Sequence, residues 1–194
     1  MIRVGLMSIF LISFFLLILP STTFAQREEV RASLKASVMQ RLGIDTDIKI
    51  EYSRPGVKGR KIWGVLVPYG MAPGDQYSGG KPFPWRAGAN ENTTIELSKD
   101  VLIEGKKLPG GKYGIHMIPS EKEWIIIFSN NSSGWGSYSY NEKEDALRVT
   151  VTPVKAPHME WLMYGFEALA GTSATAFLHW EGLKVPFKIE LPKK

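Results

Sequence analysis

The chain has 194 residues, a formal net charge of +5 and no cysteine. That length fits one ordinary domain, long enough to bury a core by packing alone, and the missing cysteine excludes disulfides, a thiol nucleophile and a lipidated N-terminal cysteine. The 24 Lys and Arg are interspersed with 19 Asp and Glu, and apart from Arg54, Lys58, Arg60 and Lys61 they form no dense basic stripe of the kind nucleic-acid binders carry.

The first segment has one early charge at Arg3, an apolar run from Gly5 to Leu19 and a Thr23-Phe24-Ala25 ending. This is the pattern of a secretory signal, and the run falls short of the roughly twenty residues a spanning helix needs. The sequence predicts a signal peptide over 1–25, a single mature domain over 26–194, a secreted or periplasmic location and no membrane span after cleavage.

Period-two alternation dominates the mature chain, the mark of half-buried strands. Val30, Leu34 and Val38 have helical spacing, but Ala36, Val38, Gln40 and Leu42 fit a strand as well. Alternating runs then lie around Ile48–Tyr52, Ile95–Leu97, Tyr113–Met117, Leu147–Val151, Leu162–Phe166 and Leu183–Ile189, while Trp124–Phe128 is apolar on both faces and predicts a strand inside a sheet. Glu104-Gly105 and Glu181-Gly182 read as two-residue hairpin turns, Pro109-Gly110 as the centre of a type II turn, and Pro186 as the mark of a sheet edge. From Ser53 to Asn90 the chain is irregular and rich in Pro and Gly, with Trp63, Tyr69, Tyr77, Phe83 and Trp85 among them. The predicted fold is all-β: a single antiparallel, jelly-roll-like β-sandwich with one long Pro/Gly-rich loop.

No strong catalytic signature is present: there is no Gly-x-Ser-x-Gly, no phosphate-binding loop and no His-Glu-x-x-His. His158/Glu160 and His179/Glu181 put two candidate ligands on one strand face, but a zinc site needs three or four, so no metal and no cofactor is expected. The concentrated feature is Trp85-Arg86-Ala87-Gly88-Ala89-Asn90-Glu91, with Arg54 and Arg60 upstream. Guanidinium forks, an amide and a carboxylate either orient a ligand or satisfy one another; in the second case Arg54 or Arg86 pairs with Glu91. A tight turn at Gly88 would aim Asn90 and Glu91 at the same space, near Trp63 and Tyr69. A second cluster, Gly134-Trp135-Gly136-Ser137-Tyr138, suits a sugar- or peptide-binding surface or an aromatic rim packed on the sandwich. His116 sits opposite the apolar face of its strand, placed for solvent or for the segment that carries Glu91.

Tyr52-Ser53-Arg54-Pro55, Val57 to Ile62, Leu66 to Gly70, the Trp85–Glu91 string, Leu108-Pro109 to Tyr113-Gly114, Ile118-Pro119 with Trp124, Trp135 to Tyr138 and Leu147-Arg148-Val149 together resemble a family of small secreted bacterial proteins classed as a domain of unknown function. The resemblance spans about Lys35 to Glu190, with Met71 to Pro84 looking inserted. It implies a secreted, compact, β-rich domain and brings no assigned activity or catalytic residue.

Three functional readings are open. The first is a binding module for a small-molecule, peptide or saccharide ligand, with Arg54, Arg60, Arg86, Asn90, Glu91, His116, Trp135 and Tyr138 as binding residues. The second is a metal-independent hydrolase using Glu91 and His116. The third is a structural envelope protein without a ligand. Protein recovered from its native compartment should begin at Gln26, and an intact mass that retains Met1 to Ala25 would instead describe an uncleaved anchor.

Overall fold

The computed structural model describes residues 30–193; the signal-like segment 1–25 lies outside the described residues. Among the described residues, ten strands form two antiparallel sheets. The larger has six strands in the order β1 (Leu34–Leu42), β2 (Thr46–Arg54), β3 (Thr93–Leu97), β6 (Gly111–Ile118), β7 (Trp124–Ser129) and β8 (Asp145–Val151). The smaller has the order β5 (Lys106–Leu108), β4 (Val101–Ile103), β10 (Ser173–Glu190) and β9 (Val154–Glu167). The sheets face each other as a β-sandwich: Tyr52 on β2 meets Tyr164 on β9 at 4.9 Å between ring centroids, and Phe128 on β7 meets Phe187 on β10 at 6.1 Å. The winding is simpler than a jelly roll's. Strands of the large sheet follow chain order except where β4 and β5 leave to join the small one; short connections join β1 to β2 and β6 to β7, and long ones join β2 to β3 and β7 to β8.

Alternation sets which face each side chain takes. Ile48, Ile50 and Tyr52 on β2 are buried inward, as are Tyr113, Ile115 and Met117 on β6. The 30–42 segment resolves as strand from Leu34, and its partner register with β2, Val38 opposite Ile50, turns Ala36, Val38 and Leu42 to the core. β7 lies between β6 and β8 and buries Trp124, Ile126, Ile127 and Phe128.

Glu104 and Gly105 both have positive φ, 48° and 75°, and join β4 to β5, the two-residue turn whose twist matches the flanking strands. Three other expectations, two of turns and one of a sheet edge, are corrected. Glu181-Gly182 lies within β10, where the register with β9 shifts on either side of Glu181 and Glu181 takes φ 54°; it is a bulge that bends a long strand. Pro109-Gly110 carries the chain from one sheet to the other, and Gly110 does not take positive φ; a Cβ there would lie 3.0 Å from Lys99 Cα, so close backbone approach is its requirement. Pro186 is on a strand flanked on both sides, but falls between the residues that pair with β9, ending at Lys184, and those that pair with β4, beginning at Ile189. Its missing N–H therefore removes no ladder bond.

Between β2 and β3 the chain runs over one end of the sandwich, tied down at separate points. Gly56 bridges Trp161 on β9, through Val57 N–H to Glu160 O and Leu162 N–H to Pro55 O. Trp85 then bridges Met117 on β6, donating and accepting at 2.8 Å. Since Thr93 on β3 pairs with Ile115, Trp85 takes the next place in that ladder and residues 86–92 bulge out between.

The rings make the stronger tie. Trp63 packs edge-on against Trp85, Trp124 and Trp180 at 5.8, 5.0 and 5.7 Å, and Trp85 stacks on Trp180 at 6.0 Å. Trp63 Nε1 donates to Glu181 Oε2 at 3.1 Å, so the bulge supplies the acceptor that a partly buried indole requires. Trp63→Ala should lower unfolding free energy in a denaturant titration by about 3 kcal/mol, the lower end for deleting a buried aromatic, and should expose the 55–92 segment to limited proteolysis.

Candidate functional site

The bulge at 86–92 is fixed from beneath. The Ala87 carbonyl accepts from Thr93 Oγ1 at 3.1 Å and from Tyr164 Oη at 3.0 Å. The positive φ values fall at Ala87 (50°) and Asn90 (59°) and not at Gly88, where a Cβ would lie 2.6 Å from Thr93 Oγ1. Gly88 is thus needed for close packing. Arg86 Nη1 donates to the Asn90 carbonyl at 2.7 Å and closes the turn. The same guanidinium lies 4.7 Å from the Tyr138 ring centre and against the bare backbone of Gly136, where a Cβ would overlap it.

Beside this turn a cleft of about 530 Å³ opens at the end of the sandwich. Trp85, Trp180, Phe83 and Tyr138 give it aromatic walls, and Lys58, Arg60 and Arg86 give it cations. Among the described residues, no carboxylate lines it. Arg60 is aimed by bonds from Nε to Val57 O (3.1 Å) and from Nη2 to Gly56 O (2.6 Å).

Of the residues singled out in the sequence, Arg60, Arg86, Asn90 and Tyr138 meet at this cleft. The others do not. Arg54 Nε donates to Leu162 O at 2.9 Å and ties β2 to β9. Glu91 pairs with neither Arg54 nor Arg86; its carboxylate takes Arg31 and Ser53 Oγ and lines a separate groove together with Trp135. Burial opposes ionisation of Glu91, but the bonds from Arg31 and from its own backbone amide outweigh it and hold the carboxyl below its usual range. Tyr69 packs on Gly64 and Trp63 belongs to the tryptophan cluster, so neither ring accompanies Glu91.

His116 is 2 % exposed and shares a 2.7 Å hydrogen bond between Nδ1 and Ser137 Oγ, with Tyr140 edge-on at 5.5 Å. The 130–140 segment covers it, which alternation along its strand does not reveal. Burial, aided by the positive charge of Arg86, pushes its pKa down to about 4. A buried neutral imidazole on a serine and a paired Glu91 in another groove do not assemble an acid–base couple. His179 donates to Pro157 O at 2.9 Å, and His158 meets Glu160 at 3.4 Å on the surface.

The Trp85–Glu91 turn, with Arg86 locked by Asn90 and Tyr138, sits within a family pattern that matches residues 33–189. The chain belongs to the DUF2911 family, proteins of unknown function. Comparison with curated proteins and with solved structures gives no match. In this DUF2911 domain, Lys58, Phe83 and Trp180 also line the cleft, although the sequence did not mark them as binding residues. Lys58 belongs to the basic run, and Trp180 is brought from a strand far along the chain.

The His116 pKa sets a pH window. Above 6.5, its ordinary value, both folded and unfolded imidazoles are neutral. Below that the unfolded chain binds a proton that the folded chain refuses, so stability falls with pH down to about 4, by up to about 3 kcal/mol. Denaturant titrations between pH 7 and 4.5 should show this slope, and His116→Gln should flatten it.

Proposed function

We propose that this protein is a non-catalytic binding module, exported from the cytoplasm, that holds a small ligand with an apolar or aromatic body and an anionic group. The signal-like residues 1–25 support export. The observation that carries the binding reading is the composition of the cleft: aromatic walls from Trp85, Trp180, Phe83 and Tyr138, three cations, and no carboxylate among the described residues to neutralise them. Its volume, about 530 Å³, is in the range of small-molecule sites, which are mostly apolar with a few placed polar groups.

The chemistry divides between the two sets of residues. The rings remove apolar ligand surface from water, worth roughly 25 cal/mol per Å². Arg86 is preorganised: one Nη is spent on Asn90 O and its face on Tyr138, which leaves further N–H groups to meet a carboxylate or phosphate in a fixed geometry. Little ordering entropy remains to be lost when ligand arrives.

Calorimetry and tryptophan fluorescence with indole-3-acetate and decanoate, each against its uncharged amide, test this. The acids should bind at least tenfold tighter than the amides. Lys58→Gln with Arg60→Gln should erase that difference, and Arg86→Gln should erase it too while lowering the melting temperature, because its bond to Asn90 O is lost. Equal binding of acid and amide would overturn the anionic part of the reading, and no binding of either would favour the ligand-free structural reading instead.

A further inference from the structure

A second concavity, of about 460 Å³, lies on the outer face of the six-stranded sheet. Its floor is a row across the strands. Ser37 on β1 stands opposite Glu51 on β2, Glu51 opposite Thr94 on β3, and Thr94 opposite Gly114 on β6, so three polar side chains project side by side. The row ends at bare backbone. A Cβ on Gly114 would lie 2.6 Å from Asn131 O, and its absence lets the segment after β7 drop onto the sheet and form a wall. That wall is held by Asn92 Nδ2 donating to Asn131 O at 3.1 Å and by Asn92 N–H donating to Gly134 O at 3.2 Å.

The wall offers the Ser132 and Ser133 hydroxyls and ends at Trp135, which is 58 % exposed. The charges that line the groove are even, Lys35 and Lys112 against Glu51 and Glu91, and both carboxylates are paired: Glu51 with Lys49 at 3.0 Å and Lys112 at 3.5 Å, Glu91 with Arg31. The groove therefore combines many hydrogen-bond donors and acceptors with near-balanced charge and one free aromatic face. Ions gain little there, and apolar bodies find a single ring. A neutral polyol fits both features. Its vicinal hydroxyls each donate and accept, and the C–H face of a pyranose ring covers an indole that would otherwise stay in water.

We propose that this groove is a saccharide-binding site, with Trp135 as the stacking platform and Ser37, Glu51 and Thr94 as the hydroxyl-reading row. The site is separate from the cationic cleft and does not rest on the ligand assigned to that cleft.

Saturation-transfer NMR and tryptophan fluorescence on the mature chain test it, with cellotetraose, maltotetraose, xylotetraose and tri-N-acetylchitotriose as probes. At least one should bind. Trp135→Ala should weaken that binding tenfold or more while leaving the melting temperature unchanged, because the ring is exposed, and Thr94→Val should weaken it through the floor. Lys58→Gln, in the cationic cleft, should leave it intact. No binding by any probe, binding that survives Trp135→Ala, or binding lost only in Lys58→Gln would overturn the proposal.

Discussion

Four indole rings hold one end of this sandwich together. Trp124 comes from the large sheet, Trp180 from the small one, and Trp63 and Trp85 from the segment that crosses between β2 and β3, with centroid separations from 5.0 to 6.2 Å. Ordering a long segment without a strand ladder costs about 1–2 kcal/mol per residue in backbone entropy, and isolated bridges at Gly56, Trp63, Ala72 and Trp85 return only part of that. Burying large aromatic surfaces offsets the rest. The cluster also finds acceptors for its N–H groups: Trp63 at Glu181, Trp124 at Ser120 O and Trp180 at Glu160 O.

The cleft inherits its character from that cluster. Trp85 and Trp180 belong at once to the core stack and to the cleft wall, so that wall is already fixed by packing. The Arg86 turn is equally constrained, since Ala87, Asn90, Thr93, Tyr138 and Tyr164 all bear on it. Rigidity of this kind is what the proposed binding role would draw on, since little ordering entropy would then be lost. The same packing buries His116 and Ser137, and each satisfies the other.

Charge is sorted by face. The cleft at the sandwich end gathers cations with no carboxylate among the described residues, whereas the outer groove sets Glu51 against Lys112 and Glu91 against Arg31. The uncharged covering segment 130–140 lines both, since Tyr138 faces the cleft while Ser132 to Trp135 face the groove. One glycine at each contact permits this: Gly136 receives the Arg86 guanidinium and Gly114 receives the segment's backbone.

Alternation is a local property, so the strands and the inward residues of the β-sandwich could be read directly from positions such as Ile48–Tyr52 and Tyr113–Met117. Turn chemistry is local too, but ambiguous. Glu104-Gly105 and Glu181-Gly182 look alike, and only the partner strand decides that the first reverses the chain and the second bulges within it. The Trp85–Glu91 string announced a constrained turn, and Arg86, Asn90, Arg60 and Tyr138 do share a cleft. Sequence could not say that Glu91 turns away to Arg31, that Arg54 is spent on Leu162 O, or that His116 lies beneath the 130–140 segment. Those outcomes depend on which distant segment lands on each face. Trp180 reaches the cleft for the same reason: the register of β10 against β9 and the stack of four tryptophans fix its place, and both exist only once the two sheets have closed.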